Sequence, residues 1–328
     1  MRYGIQVANI EWQELRDVAQ AAEELGFDFL SLPDHIVYEG PEHQTDTHHL
    51  AYDPLLQAAV AAEATKKLRV GHLVLCNLFR HPVFTAQAIA SIDQLSGGRA
   101  FLGIGTGWTE TEFKMTGIPY PDIGTRLRML DEALAIIRSL WTQEHTTFEG
   151  DFYRLHDAIL WPKPAQKPLP KILLGGGGKG VLRLAAKHAD VINLISDVGK
   201  KGYIALSSMS QFGNDAFRSK VDFVRAEAVK HGRAPTSVAI SHVVFQLMMT
   251  DSPAATRSMA EGMAAMFGAT PETVARVPLV LLGTPEECAA ELRRRQKEWD
   301  LSEVIFSFAA IGGVKGLRRI AEQILKHV

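Results

Sequence analysis

Cysteine is scarce. Cys76 and Cys288 are the only two in 328 residues, and they lie far apart. That spacing excludes a disulfide scaffold and fits a reducing cytoplasm. Long apolar runs are also lacking, and none approaches the roughly 20 residues needed to span a bilayer. Met1-Arg-Tyr-Gly-Ile leads directly into a strand, which predicts no signal peptide. Charge of one sign is not in excess. The formal net charge is −2, so nothing points to nucleic acid or an anionic membrane as partner. Internal repeats and low-complexity tracts are absent, as is the Gly-x-Ser-x-Gly elbow of a serine hydrolase.

What remains is ordinary globular composition, 46% hydrophobic and 22% charged, ample for a large core. One stretch stands out, Lys171 to Ala186. Ile172–Leu174 reads as a buried strand, four glycines follow (Gly175, Gly176, Gly177, Gly178), and Val181, Leu182, Leu184 and Ala185 recur at helical spacing. A strand, a glycine turn and a helix N-terminus aim backbone N–H groups at an anion, so this stretch is read as a phosphate site with Lys179 beside it. No Gly-Lys-Ser/Thr ends it, so it is not a P-loop.

Elsewhere the chain alternates short apolar runs with helical periodicity. Strands are expected at Tyr3–Ala8, Phe27–Leu32, Leu68–Leu75, Ala100–Ile104, Ile172–Leu174, Asp190–Leu194, Val238–Met249 and Glu303–Phe308. Val277–Leu282 reads as either strand or buried extended chain. Asp53-Pro54 and Pro82 open helices, and Gly26 closes one. The pattern lapses at 147–170, a hairpin and proline-rich run, and at 196–214, and both read as insertions in a single domain. Eight βα units predict an α/β fold, a (β/α)8 TIM barrel, with a doubly wound sheet as runner-up.

In a barrel, function sits on the loops after the strands. Those loops carry Asp34 and His35; Asn77, Arg80 and His81; Thr106, Trp108 and Glu112; Lys179; and Asn193 and Ser196. His35 suits proton transfer near neutral pH. Asp34 points to the opposite face of an extended strand. Trp108 can wall a flat ring. Glu112 reads as a general acid or as an ion-pair partner of Arg80. His43, Asp46, His48 and His49 sit in a polar loop without a framing helix, so no metal site is expected.

Gly26-Phe-Asp-Phe-Leu-Ser-Leu-Pro-Asp-His35, Arg80-His-Pro82, Leu95-Ser-Gly-Gly-Arg99, Gly103-Ile-Gly-Thr-Gly-Trp108, Pro162-Lys-Pro164, Leu174-Gly-Gly-Gly-Gly178 and Leu282-Gly-Thr-Pro-Glu-Glu287 together resemble the luciferase-like monooxygenase superfamily. More narrowly they are similar to its coenzyme F420-dependent oxidoreductase branch. The resemblance implies a barrel carrying a flavin or deazaflavin, with Asp34 and His35 at the reacting end of the cofactor; Glu112 stands beside them as a catalytic candidate by its position alone. It implies a non-prolyl cis peptide at Leu73-Val74. It assigns Leu73, Val74, Asn77, Thr106 and Gly107 to the ring, Gly175–Gly178 and Lys179 to the phosphate, and Trp108 and Arg80 to the substrate pocket. It implies a homodimer acting on a small organic molecule. Lys179, Lys200 and Lys201 are candidates for the acidic tail of F420. Sugar-phosphate dehydrogenases of the branch have glutamate where this chain has Trp108, which argues for a more apolar pocket. Two alternatives stand beside the F420 reading: an FMN-dependent two-component monooxygenase using reduced flavin and O2, and a non-catalytic flavin-binding barrel.

Overall fold

The computed structural model describes residues 1–39, 45–46, 48–196, 213–267 and 269–328. His43, Lys200, Lys201 and most of 196–214 lie outside them, and so does the side chain of Asp46. The chain forms two compact units. The N-terminal unit is Val7–Ala19 with Phe29–Gly175; the C-terminal unit is Met1–Gln6, Gln20–Asp28 and Gly176–Val328.

In the C-terminal unit, β1 (Arg2–Gln6) pairs in parallel with a late strand, Leu301–Ser307. In the N-terminal unit, β2 (Phe29–Leu32) lies parallel to β3 (Arg69–His72), with Phe29 opposite Arg69. A parallel bridge from Val70 to Ala100 leads to β4 (Phe101–Gly105), which pairs with β5 (Lys171–Gly176). All four residues of β2 and all five of β4 are buried, as expected of parallel strands covered on both faces.

Helices return the chain between these strands. α1 covers Trp12–Glu24. α2 (Pro54–Ala64) starts as its sequence dictates: the Asp53 carboxylate accepts from Leu55 N and Leu56 N, and Pro54 fills the first turn. α3 (Pro82–Leu95) starts at His81, whose ring accepts from Val83 N. Beyond it, Arg99 donates to the carbonyls of Ala62, Thr65, Leu68 and Ser96, which accounts structurally for the Leu-Ser-Gly-Gly-Arg motif. A short helix, α4 (Glu110–Thr116), precedes α5 (Ile123–Thr142).

The expected third strand, Leu68–Leu75, is broken. Arg69–His72 ends at a cis Leu73–Val74 peptide, and Leu75–Cys76 resumes opposite Ile104–Gly105. The stretch at 147–170 contains the expected hairpin, Thr146–Glu149 against Arg154–Ala158. Its tip is held by Glu132 of α5, which accepts from the N–H groups of Asp151, Phe152 and Tyr153.

The C-terminal unit holds β6 (Val191–Leu194), β7 (Ala239–Val244) and β8 (Leu301–Ser307), parallel in the order β6-β7-β8-β1. α6 (Lys179–His188) packs on α7 (Asn214–Lys230). The expected strand Val238–Met249 is two strands. Phe245 N and Gln246 N both donate to Leu279 O, and Gln246–Met249 then pairs with Val280–Gly283 in a separate parallel ladder. Of the stretch Val277–Leu282, that pairing makes Val280–Leu282 strand and leaves Val277–Leu279 as the turn before it. Behind it, the fully buried Arg295 donates to Pro278 O and Val280 O and pairs with Glu291. Trp299 stacks on Phe217 at 4.4 Å, with His242 at its edge. Among the described residues, parallel strands thus alternate with helices, and no helix is long and apolar enough to cross a membrane.

Candidate active site

β2 ends at Pro33, which places Asp34 and His35 just past the strand's C-terminal end. They diverge, as an extended chain requires. Asp34 is 6% exposed. Its carboxylate accepts from Arg80 (2.5 and 3.2 Å) and from Cys76 N (2.9 Å). Arg80 also reaches Asp53 at 3.0 Å. Burial pushes the Asp34 carboxyl upward, against the pull of Arg80. Burial acts the same way on Asp53, but there Arg80 and the N–H groups of Leu55 and Leu56 together outweigh it and hold the carboxyl below its usual range. Arg80, expected at the substrate pocket, spends its guanidinium on these two carboxylates.

Glu112 therefore does not partner Arg80. It faces His35, with His35 Nδ1 3.2 Å from Oε1, and the same oxygen accepts from Ile36 N at 2.6 Å. The reason is the short helix α4, which the sequence reading did not anticipate. It carries Glu112 inward to 3% exposure, beneath the chain leaving β2. With Nδ1–H donating to the carboxylate, Nε2 is the basic nitrogen of the ring. Trp108 meets His35 edge to face, 5.6 Å between centroids, and is 39% exposed.

Around the broken third strand, Val74 sits between two glycines. A Cβ on Gly105 would lie 2.9 Å from Val74 Cγ2, and one on Gly175 would lie 3.1 Å from Val74 Cγ1. Leu73 is buried, Val74 and Thr106 are half-buried, and Gly107 takes φ +74°. Asn77 is buried and donates to the Tyr153 hydroxyl at 3.4 Å. Cys76 is buried, and that burial pushes its thiol up to about 12, which removes it as a nucleophile.

In the C-terminal unit the glycine turn runs into α6. Gly176 has φ +152°, and a Cβ there would lie 2.6 Å from Val181 Cγ1. Gly178 is the N-cap and offers no side-chain cap, and a Cβ there would meet nothing within 4 Å. The N-terminus of a ten-residue helix thus faces open space, with Lys179 exposed beside it. Lys220 of α7 donates to Gly177 O at 2.5 Å. The Ser196 hydroxyl, just past β6, is buried without a hydrogen-bond partner among the described residues. Asn193 is occupied with Ser241. These features fit an anionic group at the turn. Lys220 carries no local motif and was not legible in the sequence.

A family model described as luciferase-like monooxygenase matches residues 2–312. The chain belongs to the luciferase-like monooxygenase family. It is 36% identical over 196 residues to an F420-dependent glucose-6-phosphate dehydrogenase of Intrasporangium calvum, covering 58% of this chain and 56% of that one. It is 30% identical over 220 residues to an FMNH(2)-dependent dimethylsulfone monooxygenase of Pseudomonas putida, covering 67% and 54%. The chain thus spans about half the length of these curated relatives. Among solved structures, a monooxygenase from Streptomyces bottropensis matches with a TM-score of 0.76 at 21% identity, covering 100% of this chain and 99% of that one. The coenzyme F420-dependent tetrahydromethanopterin reductase of Methanopyrus kandleri matches with 0.75 at 17%, covering 99% of both. These likenesses show the fold of this family member, a (β/α)8 TIM barrel with insertions.

Proposed function

We propose that this luciferase-like protein is an oxidoreductase that uses coenzyme F420 to move a hydride to or from an uncharged organic substrate. The observation that carries the reading is the His35–Glu112 pair beside an exposed indole. It is supported by the F420-dependent relatives and by the open helix N-terminus at Gly178. In the N-terminal unit, Leu73, Val74, Asn77, Thr106 and Gly107 would hold the ring system. In the C-terminal unit, taken by itself, the Gly176–Gly178 backbone and Lys179 form a grip suited to a phosphate, and Lys220 steadies the Gly177 carbonyl. When bound, F420 supplies the two-electron hydride chemistry. His35 gives or takes the substrate proton at Nε2, and Glu112 fixes its tautomer. Asp34 is the buried anchor that ties the strand end to Arg80.

The relatives' sugar phosphate does not carry over. Trp108 and Ile36, 39% and 43% exposed, present apolar surface next to His35, and Arg80 is committed to Asp34 and Asp53. The substrate is read as a small molecule with an apolar body.

The second reading is a two-component monooxygenase using reduced FMN and O2, favoured by the dimethylsulfone relative and by a phosphate grip that suits either cofactor. Titration of the purified protein with each cofactor, followed by absorbance, separates the two readings. Saturable F420 binding is expected; tight FMN binding with none for F420 would replace the first reading by the second. A homodimer is supported by α2 and α3, which are apolar beyond their buried faces. Leu56 is 61% exposed and Phe84 63%, with Trp161 at 81% on the insertion. The two buried free thiols fit a cytoplasmic location.

A further inference from the structure

Four side chains from separate segments of the N-terminal unit form a column. Phe79, after the third strand, lies 5.3 Å from Phe113 of α4. Phe113 lies 4.5 Å from Tyr120 at an interplanar angle of 31°. The guanidinium carbon of Arg126, in the first turn of α5, sits 4.1 Å from the Tyr120 ring centroid. Arg126 is 8% exposed, and its Nε has no hydrogen-bond partner among the described residues. An arginine buried with one donor unmatched is costly to keep for packing alone.

Both polar ends of the column reach one turn. Arg126 donates to Gly107 O at 2.5 Å, and the Tyr120 hydroxyl donates to Trp108 O at 3.1 Å. The back of that turn is closed as well. At φ +74°, a Cβ on Gly107 would lie 2.7 Å from Cys76 Sγ and 2.9 Å from Phe113 Cζ. Two consecutive carbonyls are therefore held by hydrogen bonds, and the Gly107 Cα is packed against Cys76 and Phe113. What projects from the turn is the Trp108 indole, half in solvent, with its ring nearly perpendicular to His35.

We propose that Tyr120 and Arg126 are positioning residues: they clamp the Gly107–Trp108 carbonyls and so hold the Trp108 indole against His35. The clamp deepens the functional reading, on which its importance for turnover rests, but its geometry is testable without any substrate. Each residue acts through the backbone of the turn, which is why the aromatic column, rather than a side-chain network, sets the wall beside the imidazole.

The test is acrylamide quenching of tryptophan fluorescence in the full-length protein. The Trp108 contribution is isolated by subtracting the Trp108→Phe variant, since Trp12, Trp141, Trp161 and Trp299 also emit. Tyr120→Phe keeps the ring stack and deletes one hydroxyl. It is expected to raise the Trp108 quenching constant about twofold, and Arg126→Met more, with Arg126→Lys between wild type and Met. Wild-type quenching of Trp108 in Tyr120→Phe, with unchanged circular dichroism, overturns the clamp. That result decides even where Arg126→Met does not fold. F420 titration of the same samples keeps the two ideas apart. Absence of F420 binding in the wild-type protein speaks against the proposed function and leaves the quenching result to judge the clamp.

Discussion

The two units carry their candidate binding features in opposite ways. In the N-terminal unit, polar side chains are held by other side chains: Asp34 and Asp53 by Arg80, and His35 by Glu112. In the C-terminal unit, the glycine turn offers backbone N–H groups and open space, with no side-chain cap at Gly178 and Lys220 donating to the Gly177 carbonyl. The difference teaches where each unit is sensitive. Side-chain networks fail when one member is deleted, because the partner is left buried and unmatched. A backbone cradle fails when something is added.

The largest effect is expected at Arg80. Arg80→Met strands the nearly buried Asp34 carboxylate, so urea unfolding should show a loss of about 3–5 kcal/mol. Adding Asp34→Asn to that variant should recover part of the loss. If Arg80→Met is as stable as wild type, the contrast between the units is lost.

The next effect tests a feature the units share. Among the described residues, the N-terminal unit fully buries His72 and the C-terminal unit His242. Burial lowers His72 to about 4 and His242 to about 3, from 6.5. Because the folded values are depressed, the folded state resists protonation that the unfolded chain accepts below 6.5. The stability contributed is full above that pH and is lost as pH falls toward about 4 for His72 and about 3 for His242. The loss is about 3 kcal/mol for His72 and about 5 kcal/mol for His242. Urea midpoints measured across this range should fall, and His242→Phe should flatten the fall.

Gly178→Asp sharpens the cradle side. Asp is a favourable N-cap, and a Cβ there meets nothing within 4 Å, so thermal stability should hold or rise slightly. A carboxylate at the helix N-terminus should nevertheless weaken F420 about tenfold relative to the deazaflavin chromophore lacking its phosphate. Equal weakening of both ligands would show that the turn does not read the phosphate.

The smallest effect is at Glu112. Glu112→Gln weakens the acceptor for His35 Nδ1, so the Nδ1-protonated tautomer should lose about 1 kcal/mol, roughly fivefold in population. Long-range 1H–15N spectra of the imidazole report this directly. An unchanged tautomer would end the positioning role given to Glu112.

Much of the fold was legible because buried parallel strands leave near-continuous apolar runs between amphipathic helices. The breaks within those runs were not. The apolar run continues through Leu73–Val74 and through Phe245–Met249, so hydrophobicity alone carries no mark of where a strand stops or changes partners. α4 was missed because its seven residues span barely two turns and are mostly polar. That omission misdirected Glu112 toward Arg80, since only the helix shows that the carboxylate lies under His35. The cis Leu73–Val74 peptide and the Asp34–His35 divergence agree with the expectations from the sequence. Tyr120 and Arg126 left no signature because both act on main-chain carbonyls, which every residue type shares.

The seat of Val74 has a consequence for how this chain tolerates change. Its two methyl groups occupy the room that the missing side chains of Gly105 and Gly175 leave. Position 74 cannot grow, and neither glycine can gain a methyl group, unless the others yield. The three positions, widely spaced in the chain, therefore form one epistatic unit: the tolerance of each is set by the occupants of the other two, and a substitution scan taken one site at a time will misjudge all three.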